Sequence, residues 1–334
     1  MRLADFDYPL PPERIAQAPL DDRAASRMLV VDRKRLRWED RGFRDFPSFI
    51  KPGDCLVLND SKVFPGRLFG HRSGFSGRVE VLLLGPASAD RRSWRALVHP
   101  GRKVRTGERI EFDGALVAEV IGRGGQGERL LRFLSPGDPS EIIERIGHVP
   151  LPPYIRRADS AADRDRYQTV YARAPGSAAA PTAGLHFTSG ILQQCRAAGA
   201  ELAMVTLDVG LGTFQPLRSE DQRTLDSEPY LIGAASLSRI RAANRVVAVG
   251  TTSARTIETF AATGAGSGDT DLFIRPGFSF RLTGALLTNF HLPRSSLLLL
   301  VCAFGGKDLV MAAYRHAVES GYRFYSYGDC MLLI

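Results

Sequence analysis

The segment that decides the fold spans residues 246–260 and reads VVAVGTTSARTIETF. Its four leading apolar residues and Gly250 predict a short buried strand. The hydroxyl side chains of Thr251, Thr252 and Ser253 then begin a segment whose composition predicts a helix extending to about Phe260. A strand that passes through a glycine into a helix is a building unit of α/β proteins.

Segments on both sides of this unit repeat the alternation of strand and helix. Short apolar runs predict strands, and apolar residues at helical spacing predict helices. The predicted strands are 55–58, 202–207 and 297–304 (the last by its length), and the predicted helices are 189–198, 239–245 and 308–320, the last with Asp308 as N-cap. Because this alternation is typical of a largely parallel sheet between two helical layers, the sequence predicts a three-layer α/β domain.

The sequence pattern is different from about residue 67 to 134. Strand-like runs at 79–84, 94–98, 109–112 and 129–133 are separated by turn residues. A spacing of about 8–12 residues between such turns is typical of a small all-β barrel or sandwich. We therefore predict a discontinuous α/β catalytic domain at 1–66 and 150–334, with a small β-barrel domain inserted at 67–149.

The composition limits the classes of protein to which the chain can belong. The 334 residues are 44% hydrophobic and 24% charged, which excludes wholesale disorder. The formal net charge of +8 suits a polyanionic partner such as a nucleic acid. The longest apolar run, residues 297–304, is shorter than the ~20 residues of a membrane span. We predict a soluble, cytoplasmic protein.

The residues that bind metals or form disulfides are scattered along the chain. The four cysteines contain no CxxC pair, and the six histidines contain no HxH or HxxxH pair. A disulfide framework and a zinc ribbon are therefore disfavoured, and no metal site is predicted.

The first candidate site is the segment 180–188, APTAGLHFT. Its Pro and Gly residues precede a predicted helix, so the loop with Thr182 and Gly184 is suited to presenting backbone N–H groups to an anion. His186 adds a group that can move protons near neutral pH. The alternative is a helix cap with His186 as a buried structural residue, and the sequence leaves both open.

The second candidate site is the segment 249–256, VGTTSART. Thr251, Thr252 and Ser253 at the start of a helix predict a cradle for an anion. The segment lacks the GxxxxGK[ST] pattern, which disfavours ATP hydrolysis. Ser253 is equally suited to capping the helix.

Two further segments place polar residues at predicted strand ends. In 207–214, LDVGLGTF, Asp208 lies where a strand passes into a glycine-rich turn, and the GxGxxG pattern of a dinucleotide site is incomplete. In 288–293, TNFHLP, Asn289 and His291 point to the same face if the chain is extended. They are candidates for binding a base and for moving a proton, or for buried structural hydrogen bonds.

A basic tract at 91–109 contains seven Arg and Lys residues and one Glu. Alternation along a β-hairpin would place several of these cations on one face, where Arg102, Lys103 and Arg105 can contact phosphates. Trp94 can stack on a base. A solvated edge strand protected by charge is the alternative.

Together these motifs resemble one family, the S-adenosylmethionine:tRNA ribosyltransferase-isomerases of queuosine biosynthesis. The resemblance extends over almost the full chain. The matching segments are FDYPLP (6–11), LNDSKV (58–63), GHVPLPPYI (147–155), YQTVY (167–171), APTAGLHFT (180–188), VGTTSART (249–256), TDLFIRPG (270–277), TNFHLP (288–293) and YGD (327–329).

The resemblance implies an α/β domain with an inserted β-barrel and an unusual reaction. S-adenosylmethionine (AdoMet) donates its ribosyl moiety to 7-aminomethyl-7-deazaguanine at the wobble position of tRNA. The products are epoxyqueuosine-tRNA, adenine and methionine. The proposed course begins with removal of a proton from the ribose 5′ carbon beside the sulfonium, which requires a positioned base and exclusion of water.

The resemblance also suggests roles for individual residues in a protein that we predict to be a monomer. The candidates for the base are His186, His291 and Asp208. The candidates for binding AdoMet are Thr182, Gly184, Thr251, Thr252, Ser253 and Asn289. The candidates for contacting the deazaguanine or the tRNA are Asp60, Arg255, Arg275, Arg102, Lys103, Arg105 and Trp94.

The chain departs from the family pattern at two positions. Many members carry His where this chain has Asp208, and a His-x-Met-His-Ser-Glu-like stretch where it has RTLDSE at 223–228. Two alternatives therefore stay open. One is a catalytically altered paralogue that binds tRNA without turnover. The other is an AdoMet-dependent RNA methyltransferase, disfavoured because no complete GxGxxG follows a first strand.

Overall fold

The computed structural model describes residues 2–113, 116–210, 217, 222 and 224–334, without the side chain of Gln126. The α-helices of this part of the chain are α1 (Pro139–Ile146), α2 (Ala161–Arg166), α3 (Ser189–Ala197), α4 (Ala234–Ala242), α5 (Thr251–Thr263), α6 (Ser296–Gly305) and α7 (Lys307–Glu319). The strands are β1 (Arg27–Asp32), β2 (Arg37–Gly42), β3 (Asp54–Asn59), β4 (Ser61–Val63), β5 (Arg67–Arg72), β6 (Arg78–Pro86), β7 (Ser93–His99), β8 (Arg109–Phe112), β9 (Leu116–Arg123), β10 (Glu128–Phe133), β11 (Ala174–Ser177), β12 (Glu201–Leu207), β13 (Glu228–Ile232), β14 (Arg245–Val249), β15 (Ser267–Thr270), β16 (Thr283–Asn289) and β17 (Cys330–Leu333).

A large mixed sheet forms the centre of the α/β part. Its described strands follow the order β15, β13, β12, β3, β14, β16, β17, β1, β2. The central strands β12, β3, β14 and β16 are parallel, whereas β13, β15 and β2 pair antiparallel at the edges and β17 runs antiparallel to β16. The predicted fold class is confirmed, but the sheet is parallel chiefly at its centre.

Apolar side chains on both faces of the sheet are buried, which explains the continuous apolar runs of its central strands. On β3, Cys55 and Val57 pack in the core beneath α4–α7, while Leu56 and Leu58 face the core that contains α3. Phe187, which precedes α3, packs in this second core. The sheet is therefore the middle of three layers, as predicted.

Strands β5 to β10 close into a barrel in the order β10, β7, β6, β5, β8, β9. Along β6, Val79, Val81 and Leu83 are buried inside the barrel, and the residues between them face outward. These strands fall within the predicted insert at 67–149, whose exact boundaries stay a prediction. The basic tract does not form the predicted hairpin, because β7 pairs with β6 and β10 whereas β8 pairs with β5 and β9.

The strand predicted at 297–304 is wrong, because these residues belong to helix α6. Ser295 caps this helix by accepting a hydrogen bond from the Leu298 N–H at 3.2 Å. Leu298, Leu299 and Val301 are all fully buried. A helix covered on every side lacks the polar stripe by which a sequence distinguishes a helix from a buried strand.

Two predicted helices begin earlier than the sequence indicated. Helix α4 ends at Ala242 because Arg245 already belongs to β14, where its guanidinium pairs with Asp54. Helix α7 has Gly306 as its N-cap, so Asp308 lies in the first turn rather than at the cap.

No single helix in the described ranges is long and apolar enough to cross a membrane. Helices α6 and α7 meet the length and composition criteria only as a pair, and they are bent by 117°. The described residues also contain no group of three or more His, Cys, Asp or Glu side chains that could hold a metal ion. The expectation that no metal is needed stays a prediction.

Candidate active site

The central parallel strands end at one edge of the sheet, and polar residues follow each of them. Asp60 follows β3, Asp208 follows β12, Gly250 follows β14, and Asn289 is the last residue of β16. Ligands bind outside the carboxyl ends of the strands in open α/β sheets. The topology thus brings four separate sequence segments to one place.

Residues from all four predicted site segments line one cleft, which we call the inner cleft. Its lining includes Tyr154, Pro181, Thr182, Val209, Gly250, Thr251, Thr252, Asn289, His291 and Tyr325. Apolar and aromatic side chains converge there with a few polar groups, as is usual for small-molecule sites.

The N-terminus of helix α5 contributes one end of the inner cleft. Gly250 has a φ of +93°, a conformation that favours glycine, and the helix begins directly after it. The first N–H groups of a helix have no partner within the helix and attract anions. Thr251 and Thr252 line the cleft, whereas the Ser253 hydroxyl donates to the Val249 carbonyl at 2.8 Å and is fully buried.

Asn289 and His291 line the opposite part of the inner cleft. The Asn289 amide donates to the Tyr325 carbonyl at 2.8 Å, and the Asn289 side chain also interacts with the His186 ring. The His291 Nε2 atom lies 2.7 Å from the Thr288 hydroxyl, and burial lowers the pKa of the ring to about 3. His291 is therefore neutral at physiological pH.

His186 lies behind the inner cleft rather than in its lining. Its Nδ1 atom is 2.9 Å from the Ser26 hydroxyl, and its ring packs against Phe43. Burial lowers the pKa of His186 to about 4. Gly184 is needed for packing, because a Cβ atom there would lie 2.1 Å from the Tyr171 hydroxyl oxygen. Of this segment, Thr182 reaches the cleft directly.

A second, larger cleft lies between the barrel and the sheet, and we call it the interdomain cleft. Asp208 lines it opposite Arg91, Trp94 and Arg95 of the barrel. Burial, followed by the negative charges of nearby carboxylates, raises the pKa of Asp208 to about 6. Val209 lines both clefts, so the two chambers adjoin directly beside Asp208.

The predicted anion-binding arginines have different surroundings. The Arg255 side chain is only 2% exposed and forms a 2.6 Å ion pair with Glu228, so its positive charge is balanced within the protein. Arg275 is half-buried, 6.0 Å from the centre of the Phe273 ring. Neither residue lines one of the two clefts.

Asp60 and Trp94 are also held by neighbouring residues. Asp60 pairs with Arg173 at 2.7 Å and accepts a hydrogen bond from Thr206. Trp94 is 6% exposed and packs against Phe64 and Phe133 in the barrel, so little of its ring is open to a base. The turn at 211–214 and Arg223, which belonged to the sequence predictions, lie outside the described residues.

Two residues of the inner cleft were missed by the sequence predictions. The rings of Tyr154 and Tyr325 lie with their centres 4.1 Å apart, and both line the inner cleft. Their separation in the chain hides this contact from sequence reasoning. An aromatic pair of this kind is suited to the planar base of a nucleoside.

The imidazole of His186 provides a direct test of its buried, neutral state. An unfolded imidazole with a pKa near 6.5 binds a proton at pH 5, whereas the folded one does not. Stability should therefore rise with pH between about 4 and 6.5. The rise in the free energy of unfolding per pH unit, measured by urea unfolding, should be lower in His186→Gln by ~1.4 kcal/mol. A slope equal to that of the parent would mean that the folded ring is protonated.

The fold and the two adjoining clefts define a class of α/β enzyme with its site at the strand ends, beside an inserted barrel. Residues 3–333 match a family model described as queuosine biosynthesis protein. The chain belongs to this family, so the resemblance in sequence motifs is confirmed.

Relatives and a solved structure agree with this assignment. An S-adenosylmethionine:tRNA ribosyltransferase-isomerase from Solibacter usitatus is 63% identical over the full length of both chains. An enzyme of the same name from Symbiobacterium thermophilum is 50% identical, also over both full lengths. The crystal structure of an S-adenosylmethionine tRNA ribosyltransferase from Thermotoga maritima is 40% identical, with a TM-score of 0.57, and the match covers 99% of this chain and 100% of that one.

Proposed function

We propose that this chain transfers and isomerises the ribosyl moiety of AdoMet onto 7-aminomethyl-7-deazaguanine at the tRNA wobble position. The products are epoxyqueuosine-tRNA, adenine and methionine. The observation that carries the proposal is the meeting of Asp208, Gly250 and Asn289 at one sheet edge between two adjoining clefts. Family membership over residues 3–333 supports it.

AdoMet fits the inner cleft by the chemistry of its lining. The helix α5 N-terminus at Thr251 and Thr252 suits the methionine carboxylate, because both its N–H groups and its dipole favour an anion. The Asn289 amide lines the cleft and carries an acceptor oxygen, which suits the adenine amino group, a hydrogen-bond donor. Tyr154 and Tyr325 supply aromatic surface beside it.

The wobble base fits the interdomain cleft. This cleft lies between the α/β part and the barrel and is the larger of the two, which suits a nucleotide that has left its stack. Because Val209 lines both clefts, the ribosyl donor and the acceptor base can meet beside Asp208.

Asp208 is the best-supported base for removing the proton beside the sulfonium. A pKa of about 6 keeps it mostly ionised at neutral pH and still basic for a carboxylate. His291 lines the inner cleft, but its pKa of about 3 makes it a weak proton acceptor. His186 does not line the inner cleft, and its ring is held between Ser26 and the side chain of Asn289, so we assign it the role of a buried structural residue.

The decisive experiment incubates the purified chain with AdoMet and tRNA bearing 7-aminomethyl-7-deazaguanine. Digestion of the tRNA and mass spectrometry measure epoxyqueuosine nucleoside, and free adenine is followed in parallel. Both products are expected. S-adenosylhomocysteine would instead identify a methyltransferase. Binding of tRNA with none of these products would identify the non-catalytic paralogue, which no comparison favours.

The chain is proposed to act as a monomer in the cytoplasm. The proposed tRNA substrate supports the compartment. Light scattering at assay concentrations tests the first proposal, because a dimer would have twice the mass of 36.6 kDa.

A further inference from the structure

We propose that the outer face of strands β5–β7, together with residues 150–159, is the surface along which the RNA strand enters the interdomain cleft. This inference rests on the proposed function, because it specifies how that site takes its tRNA. It also replaces the basic tract at 102–105 as the main phosphate-binding surface.

The surface consists of outward-facing residues on three paired strands. On β6, Glu80, Leu82 and Leu84 alternate with buried residues, and Leu82 lies opposite Arg67 of β5 and Leu97 of β7. The face therefore belongs to one continuous sheet.

A third cleft of about 2,020 Å³ covers one half of this face, and we call it the outer cleft. Its opposite wall comes from residues 150–159, which follow the barrel in the chain. Leu82 lines the outer cleft, whereas Leu84 and Leu97 line the interdomain cleft. Because Leu82 and Leu97 are paired neighbours, the two clefts meet on this face.

Unpaired cations lie at both ends of the face. Arg78 and Arg156 line the outer cleft, and Arg91 and Arg95 line the interdomain cleft. All four are exposed, and within the described ranges none has a carboxylate oxygen within 4 Å. Exposed guanidinium groups without a carboxylate partner are available to phosphate oxygens.

Other arginines of the outer cleft form ion pairs within the protein and therefore differ from the four unpaired ones. Arg67 pairs with Glu80 at 2.8 Å, and Arg157 pairs with Asp163 at 2.7 Å. The positive charge is thus concentrated at the ends of the face.

The face also offers surfaces for unstacked bases. The Arg78 guanidinium covers the Phe69 ring at 3.9 Å from its centre, and the His148 ring meets the same ring at 5.0 Å, so the planar groups of Arg78 and His148 are the stacking surfaces. Leu82 and Leu97 are half-buried and add apolar surface on the same face. Single-stranded RNA is bound by such platforms together with flanking cations.

The length of the face also suits several nucleotides. Arg78 and Leu84 are six residues apart on one strand, which corresponds to ~20 Å at ~3.3 Å per residue. Beyond Leu84 the surface continues into the cleft that contains Asp208. An RNA strand on this face therefore leads to the proposed reacting base.

The second half of the basic tract, which the sequence suggested for phosphate contacts, lies outside this surface. Arg102, Lys103 and Arg105 are in the connection between β7 and β8, and they line none of the three clefts. They are exposed, so they make a matched control for charge reversal on the same barrel.

The test compares Arg78→Glu/Arg95→Glu/Arg156→Glu with Arg102→Glu/Lys103→Glu/Arg105→Glu. The affinity for tRNA bearing 7-aminomethyl-7-deazaguanine is measured over a range of salt concentrations, and AdoMet affinity reports that both variants are folded. Each lost phosphate contact on a single strand reduces the slope of log K against log salt by ~0.7. We expect a reduction of ~2 and at least a tenfold loss of tRNA affinity in the first variant.

In the second variant, the slope of log K against log salt should change by less than ~0.7, the value expected for one phosphate contact. An equal or larger effect in the second variant would overturn the inference. The affinity comparison is independent of turnover. If the parent binds tRNA without forming epoxyqueuosine, the proposed function fails while the binding surface is still decided.

Discussion

Replacing Asp208 with Asn is expected to reduce the rate of epoxyqueuosine formation by ~10²–10⁴-fold, the usual contribution of a positioned general base. The change removes the ionisable group and keeps the size of the side chain. In the parent, kcat/KM should fall as the pH drops below about 6, because protonated Asp208 cannot accept a proton. This acidic limb should be absent from the residual activity of the variant. Single-turnover release of adenine over pH 5–8 measures both effects.

An exposed carboxylate provides the control for this substitution. Asp269→Asn on β15 removes the same charge from a side chain that lines neither cleft and should leave the rate within twofold. AdoMet and tRNA affinities of Asp208→Asn should stay near those of the parent. If Asp208→Asn retains more than a tenth of the parent rate with the same pH profile, Asp208 is not the base. His291 would then be the remaining candidate that lines the inner cleft.

Replacing Arg255 with Met is expected to destabilise the protein by ~3–5 kcal/mol, because it leaves the buried Glu228 carboxylate without this cation. Both side chains of the pair are more than nine-tenths buried, and they lie 2.6 Å apart. Glu228 also accepts a hydrogen bond from the Gly210 N–H at 2.7 Å, which holds the chain just after Asp208. Urea unfolding measures the loss of stability.

A surface pair and a double variant separate burial from the loss of an ion pair. Arg41→Met breaks the exposed pair with Glu39 on β2 and should cost less than ~1 kcal/mol. Adding Glu228→Gln to Arg255→Met should recover part of the stability, because the buried carboxylate is no longer charged. A loss for Arg255→Met as small as that for Arg41→Met would contradict the prediction.

The structure gives the three candidate bases different roles for reasons of burial. His186, His291 and Asp208 are equally plausible in sequence, since each lies in a polar segment at a predicted strand or helix end. In the fold, burial suppresses protonation of both imidazoles, and one of them does not reach the inner cleft. Burial raises the pKa of the Asp208 carboxyl group and makes Asp208 a better base.

Local sequence patterns were sufficient to predict most of the strands and helices that position the site. The strand and helix on either side of Gly250 follow the sequence prediction, as do the strand before Asp208 and the barrel strands. The prediction failed at α6, where apolar residues on all sides remove the helical period. It also failed for the hairpin of the basic tract, because strand pairing in a closed barrel depends on partners distant in the chain.

The sequence by itself determined the alternation of strand and helix, the inserted barrel and the segments that contain the site. These features depend on local composition and on the period of apolar residues, which each segment carries with it. Only the tertiary structure decided which polar groups are free to act. Arg255 is neutralised by Glu228, whereas Arg78 and Asp208 remain available at the clefts. Burial and charge pairing depend on contacts between distant residues, and these arise only when the chain is folded.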